Sequence, residues 1–194
     1  MRSSRVSCLA LLVALAIAAG TASAQDRDAS LYTGVKACKM CHKKAEKGDQ
    51  FQKWTDSPHA KAYEKLGTPE AKAVAAKLGI DDPQKSGKCL KCHSTAYNLT
   101  EEIKSTDIPV EEGVSCEACH GPGKNYKVMS VMKDRTQAIA NGMVYPAKEK
   151  SCTLCHNEQN PTWNPERYTT KDGKKTGFDA DAAYEKIKHD RPTP

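Results

Sequence analysis

Two cysteines separated by two residues, with a histidine directly after the second, occur four times in this chain. They are Cys38–Cys41–His42, Cys89–Cys92–His93, Cys116–Cys119–His120 and Cys152–Cys155–His156. On one helical turn this spacing aims two thiols the same way and turns the next imidazole toward the same centre. C-x-x-C-H reads as a c-type haem attachment site. Structural zinc also uses C-x-x-C pairs, but it does not require a histidine after the second cysteine. Four of the six histidines occupy that one position. The sequence therefore predicts four covalently bound c-type haems, with His42, His93, His120 and His156 as proximal iron ligands.

The ninth cysteine, Cys8, lies in a different kind of segment. Arg2 and Arg5 precede an apolar run from Leu9 to Ala19, and Ala22-Ser23-Ala24 follows as a small-residue cleavage site. That order reads as a signal peptide over residues 1–24. The run is too short for a membrane span, and the expectation is a soluble, exported, periplasmic domain over residues 25–194. With Cys8 removed, the four motifs use every cysteine. None is left for a disulfide, although an oxidising compartment would permit one.

With only two Phe and two Trp, a side-chain core would be thin. Four porphyrins would supply the missing apolar surface, so the haems are expected to form the core of a mainly α domain with much irregular loop. Loss of Arg2 and Arg5 takes the formal charge from +6 to +4, and haem propionates offset most of the rest. Lys39, Lys43, Lys44, Lys88, Lys91 and Lys124 lie in or beside the motifs. Such clusters steer an acidic redox partner toward a haem edge. Nothing points to nucleic acid.

Local signals predict a helix over 43–56, with Phe51 and Trp54 on one side. Ser57 and Pro58 start a short helix that Gly67 stops, putting His59 in its first turn. Thr68 and Pro69 start another that ends at Gly79, with Ala71, Val74 and Leu78 facing inward. An extended piece is expected at 107–110. Gly121-Pro122-Gly123 must end the third attachment helix. A helix is expected over 125–140, a loop over 171–177, and a last helix capped by Asp179 that runs through His189.

Four irons need four further axial ligands, and only His59 and His189 remain as histidines. The count predicts two bis-histidine haems. The other two would use methionine, lysine, water or nothing; Met129, Met132 and Met143 are within the candidate set.

The segment GVSCEACHGPGKNY at 113–126, the earlier SPHAKAYEKL at 57–66, the order of the four motifs and the late histidine resemble the cytochrome c-554 family. These are tetrahaem electron carriers named from ammonia-oxidising bacteria. The resemblance covers roughly residues 32 to 190. It implies a mostly helical fold around closely stacked haem pairs and a five-coordinate haem at His93. It implies His59 as distal ligand to the His120 haem and His189 as distal ligand to the His156 haem. The family carries a histidine shortly after HGPG as distal ligand to the first haem. Here the segment reads Tyr126-Lys127-Val128-Met129-Ser130-Val131-Met132, so Met129 or Met132 is the substitute.

The expected function is electron transfer between redox protein partners through closely packed haems, without enzymatic activity. The alternatives are an oxidoreductase acting on a small nitrogen or oxygen species at the His93 haem, and a docked haem subunit of a larger redox complex. The redox chemistry would belong to the iron.

Overall fold

The computed structural model describes residues 28–97, 102–103, 107–145 and 149–189. The expected signal peptide lies outside the described residues, among which no helix is long and apolar enough to cross a membrane.

Ten short α-helices, four 3-10 turns and one small hairpin make up the regular structure of the described residues. The helices are α1 (Gly34–His42), α2 (Gln50–Thr55), α3 (Ala62–Leu66), α4 (Pro69–Lys77) and α5 (Gly87–His93). They continue as α6 (Cys116–His120), α7 (Met129–Met132), α8 (Arg135–Ala140), α9 (Glu149–Thr153) and α10 (Ala180–Ile187). The strands β1 (Tyr168–Thr169) and β2 (Lys175–Thr176) pair antiparallel, with Tyr168 opposite Thr176. The mainly α class with irregular loop holds.

Punctuation by side chains explains most boundaries. Thr68 accepts from Ala71 N at the head of α4, with Pro69 in the first helical position. Asp179 accepts from Ala182 N and opens α10, and Gly121, at φ 75°, closes α6. Several expectations need correction. The helix over 43–56 is broken, because Gly48 (φ 93°) and Asp49 (φ 46°) are left-handed and only α2 remains helical. Ser57 and Pro58 start a turn, so His59 precedes α3 instead of lying in its first turn. The helix over 125–140 splits where Asp134 caps α8 by accepting from Gln137 N. Leu78 is 48% exposed, and Ala75 is the buried residue of α4 at 2%. Residues 107–108 form a turn and Val110 opens a 3-10 turn, so the extended piece is not found there. The loop over 171–177 contains β2, and α10 stops two residues short of His189.

Apolar burial is sparse, as the composition implies. Tyr32, Ala96, Ile103 and Ile108 form one cluster, with Ala29, Tyr97 and Val110 packed against it. Leu90, inside the second motif, is 1% exposed. Polar ties supply much of the rest. Glu117 is 3% exposed, and its carboxylate accepts from Gly34 N (2.9 Å), Thr33 N (3.1 Å) and Gly123 N (2.6 Å). Glu112 accepts from Val35 N at 3.1 Å. Two carboxylates thus sit at the head of α1, where free N–H groups and the helix dipole favour negative charge.

Candidate functional site

Each C-x-x-C-H motif is helical where its first cysteine lies. Cys38, Cys41 and His42 sit on α1; Cys89, Cys92 and His93 on α5; Cys116, Cys119 and His120 on α6. Cys152 sits on α9, and Cys155 and His156 follow in the turn that ends it. Among the described residues no two cysteines form a disulfide. Among the described residues, no three His, Cys, Asp or Glu side chains converge as ligands of a bare metal ion would.

Three motif histidines have Nδ1 held against an oxygen. His93 Nδ1 is 2.8 Å from Ala62 O, and His120 Nδ1 is 3.0 Å from Val144 O. His42 Nδ1 is 3.0 Å from Gln50 Oε1. Gln50 Nε2 donates to Lys47 O, which leaves Oε1 free to accept. Each Nδ1–H therefore donates to its oxygen and leaves Nε2 as the nitrogen available to a metal, the hydrogen bond that orients a metal-ligating histidine. His156 is seated differently. Its ring stacks on Phe178 at 4.5 Å and 9°.

The two remaining histidines meet two of these rings. His59 and His156 have ring centroids 6.1 Å apart, and His120 and His189 have theirs 5.8 Å apart. With metal–nitrogen bonds of about 2.0 Å and a ring centre about 1 Å beyond each nitrogen, two axial imidazoles on one metal stand about 6 Å apart. Both centroid spacings match that separation. In this structure the ring neighbours are exchanged relative to the pairing the resemblance implies: His59 lies beside His156, and His189 beside His120.

The main chain explains the exchange. His59 O accepts from Val114 N at 3.0 Å, and Trp54 Nε1 donates to Val114 O at 2.9 Å. Gly113 packs so closely here that a Cβ would lie 2.8 Å from His59 O. The same segment, three residues on, supplies Ala62 O to His93. His59 is therefore held among His93 and His156, whereas His189, beyond α10, reaches His120 and His42. The charges couple the same way. Burial chiefly lowers the proton affinity of His59, His120, His156 and His189. After burial, His156 is lowered further by His59 and His93, and His189 by His120 and His42. All four favour the neutral form that ligates a metal.

Thiol contacts give the motifs a spatial order. Cys38 and Cys116 are neighbours whose interaction lowers the first thiol's pKa and raises the second's. Cys92 and Cys155 do likewise, which brings Cys92 down to about 7. Burial, followed by the neighbouring Cys152, pushes Cys119 up to about 11. The first motif thus lies against the third, the third against the fourth, and the fourth against the second. Helix packing agrees, with α6 touching both α1 and α9.

Met129 opens α7 and is 63% exposed. Met132 ends α7 and is half-buried, and the main contacts of this helix are with α8. Glu117 and Gln50 are functional side chains not singled out from the sequence. A turn signal, Gly48-Asp49, precedes Gln50 and marks a chain that doubles back on His42. Glu117 has no such local signal, because its partners at Thr33 and Gly34 lie more than eighty residues away.

A family model described as cytochrome c554 and c-prime matches residues 37–121. Cytochrome c-554 of Nitrosomonas europaea is 31% identical over 150 residues, which make up 68% of this chain and 60% of that protein. The chain therefore spans about 60% of that relative's length. The solved reduced state of cytochrome c554 from Nitrosomonas europaea is similar with a TM-score of 0.49 at 28% identity, covering 80% of this chain and 77% of that one.

Proposed function

This chain belongs to the cytochrome c-554 family, and on that footing we propose that it is a periplasmic tetrahaem carrier passing electrons between redox proteins. A signal peptide over 1–24 would export the domain at 25–194. Four c-type haems would attach through Cys38 and Cys41, Cys89 and Cys92, Cys116 and Cys119, and Cys152 and Cys155. When bound, they supply the one-electron chemistry of iron and the apolar bulk of the core.

The chain's own residues position and tune. His42, His93 and His120 would offer Nε2 as proximal ligands, and His156 would offer a ring nitrogen. His59 and His189 close the far faces at His156 and His120. The observation that carries the reading is the pair of imidazole–imidazole spacings, 6.1 and 5.8 Å. Coordination by two histidines leaves no site for a substrate, which suits electron transfer rather than catalysis. The motif order first–third–fourth–second gives a linear route with an end at α1 and an end at α5.

With His59 assigned to His156 and His189 to His120, no histidine is left to serve His42 or His93. Met129 or Met132 is the proposed sixth ligand opposite His42. The face opposite His93 would stay open, as the resemblance implies, and this leaves a second reading, an oxidoreductase acting on a small nitrogen or oxygen species there.

Intact mass against the sequence mass counts the haems. EPR of oxidised protein, with and without nitric oxide, separates the readings: two bis-histidine low-spin signals and a single nitric-oxide-responsive high-spin haem are expected. Four low-spin haems without a ligand response would remove the oxidoreductase. Unchanged spectra in both Met129→Ala and Met132→Ala would remove methionine from the first haem.

A further inference from the structure

The route from α1 to α5 has two ends, and their charges differ. Residues 34–53 carry six lysines against Glu46 and Asp49. Around the second motif, residues 81–97 carry Lys85, Lys88 and Lys91 against Asp81 and Asp82, and Lys85 is bridged to Asp82 at 3.1 Å. Around the third motif, residues 107–127 hold four acids and two lysines. Basic charge is therefore concentrated at the α1 end.

Its arrangement is ordered. Lys36, Lys39, Met40 and Lys43 follow the i, i+3, i+4, i+7 spacing of one helix face, and all four are exposed. Lys44 and Lys47 extend the same face into the turn after α1 and are also exposed. Met40 is 73% exposed in the middle of these ammonium groups. The opposite side of α1 is committed inward, where Glu117 and Glu112 hold its first turn. Lys39 Nζ lies 4.7 Å above the Phe51 ring, which keeps one ammonium in place. The Lys44–Glu46 contact, at 3.7 Å between exposed groups, is too weak to neutralise the face.

We infer that the outward face of α1 is the docking surface for an acidic redox protein, whose carboxylates meet these lysines around an apolar contact at Met40. Cationic surface surrounding one adaptable thioether gives fast, charge-steered and transient association, as an electron carrier needs at an exchange site. The α5 end, with its charges nearly balanced, would take its partner with little dependence on salt. This assignment rests on the carrier reading above.

The test uses full-length holoprotein and reduced flavodoxin, an acidic redox protein, as the probe. Stopped-flow reduction is followed as ionic strength rises from about 10 mM to about 300 mM, across which the screening length falls from roughly 30 Å to under 10 Å. The expected rate constant falls at least tenfold. Lys39→Glu/Lys43→Glu lowers it at least tenfold at low salt and flattens the salt dependence. Lys171→Glu/Lys175→Glu, an equal charge change on the β1–β2 hairpin, leaves it within twofold. Equal losses in both variants would overturn the docking surface in favour of net charge, and no loss in the α1 variant would also overturn it. Binding of the α1 face to phosphatidylglycerol vesicles, without a charge effect on the flavodoxin rate, would reassign it to a membrane surface. Reduction by dithionite monitors the carrier reading separately: protein that takes up electrons from dithionite yet shows no α1 effect refutes only the docking surface.

Discussion

Replacing Glu117 tests how far one buried carboxylate holds two attachment helices together. The side chain is 3% exposed and accepts from three backbone N–H groups: Thr33 and Gly34 at the head of α1, and Gly123 beyond α6. Glu117→Ala leaves all three donors without an acceptor, at about 1–3 kcal/mol each when buried. Thr33 is only half-buried and recovers water, so the expected loss is about 3–5 kcal/mol. That is a large share of the roughly 5–15 kcal/mol that stabilises a domain. Glu117→Gln keeps one acceptor oxygen but aims an amide NH2 at a donor, and should cost about 2 kcal/mol. Urea unfolding of holoprotein, followed by far-UV circular dichroism, reads both. With a slope of about 2 kcal/mol per molar, the Ala midpoint should fall by about 2 M and the Gln midpoint by about half that. Glu111→Gln, on an exposed neighbour, is the control and should not move. If all three variants unfold within about 0.3 M of wild type, the carboxylate is not what joins α1 to α6.

Gln50→Leu removes the acceptor from His42 Nδ1. It should raise the midpoint potential of the first haem alone by about 59 mV, a tenfold shift in its one-electron equilibrium, as read by EPR-monitored titration. Gly113→Ala combines a left-handed φ of 70° with a Cβ 2.8 Å from His59 O. It should push His59 off its partner and convert the fourth motif's low-spin signal to high-spin, and an unchanged spectrum would contradict the pairing. Glu112 is raised above its ordinary value of 4.5 chiefly by burial. A carboxyl raised in the folded state contributes most below its unfolded pKa and loses that contribution as pH climbs through the folded one. Glu112→Gln and wild type should therefore match near pH 4, and the variant should gain relative stability as pH rises above 4.5. Urea midpoints across that range check the sign.

The covalent chemistry was legible in the sequence because it is local. A thiol pair and an imidazole within five residues need only one helical turn, and the boundaries that Thr68, Asp179 and Gly121 set for α4, α10 and α6 are local in the same way. What was not legible depends on long separations. No periodicity tells that Val114 pins His59, or that His189 crosses to His120, so these ring neighbours could not be read from the sequence. The break at Gly48-Asp49 was hidden by the good helical pattern around it, since a helix over 43–56 would satisfy Phe51 and Trp54 but could not return Gln50 to His42. Leu78 was expected inward from its hydrophobicity, yet α4 presents the smaller Ala75 to its neighbours.

The partners of the motif histidines also decide which haem this lineage can retune. At His93 and His120 the proton is fixed by the carbonyls of Ala62 and Val144, which every amino acid at those positions would supply. No single codon change can delete them. At His42 the same task falls to a side chain, held in place by the one non-glycine residue with positive φ among the described residues. Drift can therefore reset the affinity of the α1 end for electrons while the carbonyl-held seats of His93 and His120 are inherited intact.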